Sequence, residues 1–420
     1  MRGVLFPAFV SVAFLSACIS VPSPYETTTE TQSIVEGNTE FGLDLYDLVA
    51  AETDENIFIS PASISTALAM TYGGARGTTA TEISEALHFA LPVESFHKTM
   101  AEVLAGVQRD EEGRTIAINN RIFVDRRVVT TPTFSSLMSD TYNAPQQRVD
   151  FRNQPGAARE MINTWVEDKT EDRITDLLAP DNVSNCTRMV LVNTIYLDAD
   201  WANPFEMNDT EEDTFTTLSG NDVTLPMMGQ LSEFRHIETA DFQAVELPYQ
   251  GDDLSLIVFL PEAAGQLSSF ERNLAPGRLN NWMNRLATAD PVRVDLKLPK
   301  IELRQSLGLK QSLQSLGMAI PFSDSADFTG IAAPADNQGD PCWDPMLLKV
   351  DDVVHKTFLK IDEEGTEAAA ATAVVLVEIS SGRIYAKPPI IFHADRPFFF
   401  VIKDNTTGLV LFMGRFTAPA

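Results

Sequence analysis

Residues Asp362 to Ser380 read DEEGTEAAAATAVVLVEIS, and their chemistry changes along the chain in an unusual order: charges first, then small side chains, then β-branched ones. Taken as a helix, the segment is an alanine-rich stretch capped by glutamate, a sound pattern because alanine is the best helix former. Taken as a strand, Thr366, Ala368, Ala370, Thr372 and Val374 share one face, and Glu367, Ala369, Ala371, Ala373 and Val375 share the other. A face made only of small groups can slide between two neighbouring strands without overfilling the space. Gly365, just ahead, supplies a backbone pivot at little steric cost.

The chain around this segment reads as an α+β protein. Ile34 to Ala51 carries Phe41, Leu45, Leu48 and Val49 at helical spacing, and Asn56 to Leu87 reads as a short strand, a helix opened by Ser60-Pro61, a Gly73-Gly74 break and a second helix from Thr78. Thr115 to Val124 alternates as a half-buried strand, and Ala157 to Leu178 is expected to be a helix bearing Met161, Trp165 and Ile174. Beyond it, Met189 to Leu197, Ala244 to Tyr249, Leu254 to Leu260, Val292 to Leu298, Val353 to Ile361 and Phe398 to Ile402 are apolar or β-branched runs bounded by Gly, Pro or Asp. Strands without regular intervening helices predict large mixed or antiparallel sheets rather than a doubly wound parallel one.

The first residues read as a targeting segment. Arg2 precedes an apolar run from Val4 to Leu15, too short to span a bilayer, and the run ends in Leu15-Ser16-Ala17-Cys18. That string resembles a bacterial lipobox, which implies removal of residues 1–17 and lipidation of Cys18, with Ile19 favouring the outer membrane and display in the periplasm or at the cell surface. An ordinary secretory signal is the other reading, and it implies a secreted protein. Residues 18–33, rich in Thr, Ser, Pro and Glu, are expected to be a disordered tether, leaving 34–420 as one domain. Cys186 and Cys342 then remain as a single pair in an oxidising compartment, either bridged or unrelated.

Several function classes find no support. A net charge of −28 works against nucleic acid and anionic surfaces. GxSxG, HExxH, GxxxxGK and dinucleotide motifs are missing, and five histidines show no metal-ligand spacing, so neither catalysis nor a cofactor is expected.

EEGTEAAAATA is similar to the hinge of inhibitory serpins. NIFISPASISTALAMTYGGARGTTATEI, LVNTIYLDADWANPF, VELPYQGDDLSLIVFLP, LKLPKIEL, KVDDVVHKTF, DRPFFFVI and TGLVLFMGRFTAP resemble other serpin segments in serpin order. The resemblance implies three β-sheets, eight or nine helices and a reactive-centre loop over about residues 363–394. It also implies a metastable, monomeric suicide substrate that holds a serine protease as an acyl-enzyme while the cleaved loop inserts into the main sheet.

Residue by residue, the resemblance assigns the hinge to Glu363, Glu364, Gly365, Thr366, Glu367, Ala368, Ala369, Ala370 and Ala371. It assigns a sheet-opening shutter to Ser60, Ser63, Asn193 and His355, and a breach at the upper end of the sheet to Trp201, Lys300 and Glu363, with a Lys300–Glu363 ion pair. Counting from Gly365 places the reactive bond between Ile379 and Ser380, suited to elastase-, subtilisin- or chymotrypsin-like enzymes. The stretch from Ser380 to Pro397 is longer than the family pattern, and Arg383–Ile384 is the alternative bond, suited to a trypsin-like enzyme. A cysteine protease target, or a non-inhibitory binding or chaperone module, are the other readings within the family. Leu91 to Arg114 holds only scattered Lys98, Arg109 and Arg114 among acids, so heparin is not expected to bind. In the family fold Cys342 precedes the strand carrying His355 and Cys186 precedes its neighbour, which makes a bridge near the lower end of the main sheet geometrically admissible.

Overall fold

The apolar runs become strands and the amphipathic stretches become helices, in a computed structural model that describes residues 25–332, 348–366 and 387–419. The first half interleaves them: α1 (Thr29–Glu52), β1 (Ile57–Ile59), α2 (Pro61–Tyr72), α3 (Gly77–Ala86), α4 (Val93–Val107), β2 (Arg109–Glu111), β3 (Arg114–Asp125), α5 (Pro132–Ser136), β4 (Gln146–Val149), α6 (Pro155–Lys169) and β5 (Met189–Asp200). Then come β6 (Thr210–Thr216), β7 (Asp222–Glu238), β8 (Phe242–Pro248), β9 (Leu254–Pro261), α7 (Leu267–Glu271), α8 (Pro276–Ala287), β10 (Val292–Pro299), β11 (Ile301–Gly308) and α9 (Lys310–Ser315). The chain closes with β12 (Val354–Ile361), β13 (Gly365–Thr366), β14 (Ile390–His393), β15 (Phe398–Asp404) and β16 (Val410–Phe416).

These strands form three sheets, two of them joined through the long β7. Its last residues, Arg235 to Glu238, pair with β8 in a central sheet ordered β1-β16-β15-β9-β8, while its earlier residues pair with β6 and β10, and β14 lies parallel to β10. Every residue of β9 and β16 is buried, and Phe58 of β1 stacks on Phe400 of β15 and Phe412 of β16. Here each strand finds a partner on both backbone edges except at the ends.

The remaining sheet runs β11-β12-β13-β5-β3-β2, with β4 parallel to β3. One face lies on the main core. The other carries a smaller cluster in which Phe123, Val192 and Phe151 meet Ile162 and Val166 of α6.

Two of the expected helix boundaries shift markedly. The helix starts at Thr29, not Ile34, because Thr28 caps it: its hydroxyl accepts from the Thr31 N–H at 3.1 Å and Thr31 reciprocates. Residues 29–33 of the expected tether are therefore helical. At its far end α6 stops at Lys169, not Leu178, since Glu171 and Asp172 adopt φ of 47° and 60°, outside the right-handed helix. Neither β7 nor α8 was expected. The strand contains Pro226 and Gly229, and only part of it is buried, so it lacks a clean alternation.

Candidate functional site

The residues singled out by sequence converge on the gap between β5 and β12. Among the described residues the strand that pairs with both is the two-residue β13, which sets Thr366 opposite Ile361 on one side and Ala199 on the other. Below it the strands stand apart, flanking a groove of about 500 Å³ lined by Leu191, Asn193, Ile195, His355, Thr357 and Leu359, among others. β12 is paired with β11 and β5 with β3 on their outer edges, while their facing edges below Thr366 meet no other strand among the described residues and carry donors and acceptors ready for one.

At the upper end, the turn Asp362–Glu364 is fastened to the body of the protein. Trp201 stacks on Tyr249 with ring centroids 4.4 Å apart, its indole N–H donates to the Asp362 carbonyl at 2.9 Å, and its backbone N–H donates to the Glu364 carbonyl at 2.8 Å. The Phe205 N–H donates to the Glu363 carbonyl at 2.9 Å. Lys300 Nζ donates to Glu363 Oε2 at 2.7 Å and Thr210 donates to Oε1 at 2.9 Å. Burial alone would raise the Glu363 carboxyl, but these hydrogen bonds and the lysine charge hold it below its ordinary value. The carboxylate is 8% exposed while the ammonium is 38% exposed, so the pair is half solvated and anchors geometry more than it stabilises.

Gly365 and Thr366 continue downward from that turn. A Cβ on Gly365 would lie 2.1 Å from the Ala199 carbonyl oxygen, so glycine is required here by close approach to β5 rather than by an unusual φ. The Thr366 side chain is buried on the core face, where its hydroxyl meets the Tyr249 hydroxyl. Tyr249 was not singled out by sequence; a tyrosine ending an apolar strand carries no local mark of a long-range hydroxyl partner.

Deeper in the groove, Ser60, Ser63, Asn193 and His355 form one hydrogen-bonded chain, closed by the Ser63 N–H donating to Ser60 Oγ at 3.2 Å and extended beyond Asn193 by Asn120, a residue the sequence reading missed. Ser60 caps α2, its backbone N–H donates to His355 Nε2 at 3.1 Å, and its hydroxyl donates to the Leu411 carbonyl at 2.7 Å. Ser63 Oγ donates to Asn193 Oδ1 at 2.5 Å. Asn193 donates to Asn120 Oδ1 at 2.8 Å, and Asn120 donates to the Tyr142 carbonyl at 2.9 Å. The first turn of α2 thus holds β12 through Ser60 and β5 through Ser63. Burial pushes the His355 imidazole down to about 4, which keeps it neutral with Nε2 as an acceptor.

Charge gathers at the mouth of the groove. The Asp198 carboxyl on β5 is pushed up to about 6, first by burial and then by Asp200 and Glu171, with Arg173 opposing. Across the gap, Lys360 donates to Asp362 at 2.6 Å. Among the described residues no group of carboxylates, histidines and cysteines is placed to hold a metal ion. Ile379, Ser380, Arg383, Ile384, the hinge residues from Glu367 to Ala371, and Cys18 lie outside the described residues.

Comparison with known proteins gives a consistent result. A family model described as serpin (serine protease inhibitor) matches residues 36–419. A serpin-like protein of Thermococcus kodakarensis is 36% identical over 398 residues, covering 94% of this chain and 88% of its own. The leukocyte elastase inhibitor of Homo sapiens is 35% identical, covering 92% of this chain and all of its own. Among solved structures, cleaved Serpin 42Da aligns at a TM-score of 0.79 with 30% identity over 93% of this chain and all of its own, and uncleaved ovalbumin at 0.79 with 28% identity over 92% of this chain and all of its own.

Proposed function

The chain belongs to the serpin family, and from that premise we propose that it is an inhibitory member, a suicide substrate for a serine protease. The observation that carries this reading is the seating of Thr366 between β12 and β5. With Thr366 opposite Ile361 and Ala199, each further residue of the loop falls opposite the preceding residue of both strands. Ala368 would come level with Leu359 and Leu197, Ala370 with Thr357 and Ile195, and Thr372 with His355 and Asn193. Core-facing positions would therefore receive only small side chains down to the shutter.

The chemistry belongs to the protease. Its serine oxygen attacks the carbonyl carbon before the reactive bond, the peptide C–N bond breaks, and the new amine leaves with a proton. The acyl ester then joins the enzyme to a loop free to insert. Insertion adds a backbone ladder to two unpaired edges, and the acyl-enzyme moves with the loop. The reactive bond of this reading is Ile379–Ser380, with an elastase-, subtilisin- or chymotrypsin-like target.

Incubating the full chain with pancreatic elastase and with trypsin, followed by denaturing gels and mass spectrometry, tests this. A covalent adduct with a released peptide beginning at Ser380 supports it, and one beginning at Ile384 moves the bond to Arg383. Clean cleavage by both enzymes, with no adduct and no rise in melting temperature of the cleaved protein, sinks the inhibitory reading.

The amino-terminal motif supports a second part of the proposal, that Cys18 carries lipid and anchors the domain to a bacterial outer membrane. Palmitate labelling of the expressed protein should disappear in Cys18→Ser. Persistence of label in that variant excludes the assignment.

A further inference from the structure

Of the basic residues between Leu91 and Arg114, Arg109 and Arg114 turn inward and pair with the protein's own acids. Arg114 opens β3 level with Ala199 of β5, and Ala199 is in turn level with Thr366. The three residues therefore stand in one row across the divided sheet, all of them buried, with the guanidinium at one end and the seated threonine at the other.

The same guanidinium reaches the turn between β8 and β9. Arg114 Nη1 donates to the Gln250 carbonyl at 2.8 Å and to Asp253 Oδ1 at 2.5 Å, and Nη2 donates to Glu111. Contacts in several directions from one planar group fix a position that a single contact would leave loose. Gln250 follows Tyr249, whose hydroxyl meets that of Thr366, so Arg114 grips the backbone one residue from the ring that touches the loop. Gly251 has a φ of 88°, and a Cβ there would lie 1.8 Å from Arg114 Nη1, so the turn is shaped around the guanidinium. From the other side Arg109 Nε donates to Asp253 Oδ2 at 3.0 Å, and the Asn405 N–H donates to the Asp253 carbonyl at 2.8 Å, which ties the turn to the β15–β16 hairpin of the central sheet.

We propose that Arg114 is a positioning residue for the loop: through the Gln250 carbonyl and Asp253 it sets the place of Tyr249, and the Tyr249 hydroxyl in turn holds Thr366 between β5 and β12. The seating follows from the fold. Its consequence, that a well-seated Thr366 lets insertion outrun ester hydrolysis, rests on the inhibitory reading.

Hydrogen exchange of the uncleaved full chain tests the seating. The Asp362 N–H donates to the Gly365 carbonyl at 3.0 Å and the Trp201 N–H to the Glu364 carbonyl at 2.8 Å, so these amides report whether the turn and β13 stay in place. In Arg114→Met both should exchange on the order of tenfold faster, while amides of β9 and β16 keep their rates. Tyr249→Phe should do the same, and the double variant should be no faster than Tyr249→Phe alone, as expected where one residue acts through the other. Asp253→Asn keeps the size of its side chain and should accelerate the same two amides, which preserves the test should Arg114→Met not fold. Unchanged rates at Asp362 and Trp201, faster exchange throughout both sheets, or additive effects in the double variant overturn the proposal. With whichever of elastase and trypsin forms the adduct, Arg114→Met should also raise the share of chain cleaved without adduct several-fold at an unchanged acylation rate, and an unchanged share overturns the consequence for trapping. A wild-type chain that forms no adduct with either enzyme counts against the inhibitory reading, and the exchange rates still decide the seating.

Discussion

The central sheet and the divided sheet are built from the same chain by opposite means. In the first, β9, β15 and β16 meet edge to edge, and stacked phenylalanines fill the space between them. In the second, β5 and β12 present parallel edges to a groove and are held through a helix cap, a histidine and asparagines. Apolar packing loses energy steeply when surfaces separate, whereas hydrogen bonds can be exchanged for others of equal worth. Polar residues therefore stand at the part of the fold where, on the proposed reading, a sheet would change its neighbours.

The comparison breaks most visibly at Thr366. Thr366→Arg should force a charge onto the core face beside Tyr249, a penalty of about 3–5 kcal/mol. Adduct formation should vanish, and cleavage should no longer raise the melting temperature; undiminished inhibition would show that the groove is not where the loop goes. In the central sheet, Phe400→Ala should cost about 3–5 kcal/mol by leaving a cavity beside Phe58. That loss should lower the melting of intact and cleaved protein alike, and a loss confined to the intact form would blur the distinction between scaffold and moving part.

Acid should act on the divided sheet through His355. Its folded value of about 4 lies below the 6.5 of an unfolded histidine, so between those pH values the unfolded chain holds the extra proton. Stability should be full above about pH 6.5 and fall by on the order of 3 kcal/mol as pH drops to 4. Denaturant titration of His355→Gln, which keeps an acceptor but does not titrate, should lack that component; an unchanged pH slope would remove His355 as its source. Asp198 has the opposite sign. Its folded carboxyl is raised to about 6, so its charge destabilises above that pH and the effect fades as pH falls toward 4. Asp198→Asn should add about 1 kcal/mol at pH 7.5, after allowance for its solvent contact, and a variant of unchanged melting temperature would show that water already relieves the site.

What the sequence disclosed follows the same division. Runs such as Leu254 to Leu260 announce a buried strand because every residue but Ser255 is apolar, and Gly365-Thr366 stands out by side-chain size. Asn120 and Tyr249 stayed hidden, since each is an ordinary residue of its strand until a partner 73 or 117 positions away arrives. Ile174 and Leu177 fit the helical period of α6 and do pack with it, but the backbone turns at Glu171, a change that periodicity cannot register. The α1 start was missed because Thr28 and Thr31 looked like more of the polar tether around them.

A loop that has already placed Thr366 starts its work with a lead in time. In the proposed inhibitory reaction, ester hydrolysis and insertion would run against each other once a protease had been acylated, and whichever finished first would decide whether the enzyme was caught or released. Ordering the first residues beforehand removes part of the search from that interval. On that reading the same lead would shorten the protein's shelf life, because an uncleaved loop with its first step taken would also stand nearer to spontaneous insertion. Tyr249 and Ala199, which hold Thr366 in its seat, would then set the balance between a fast trap and a durable one.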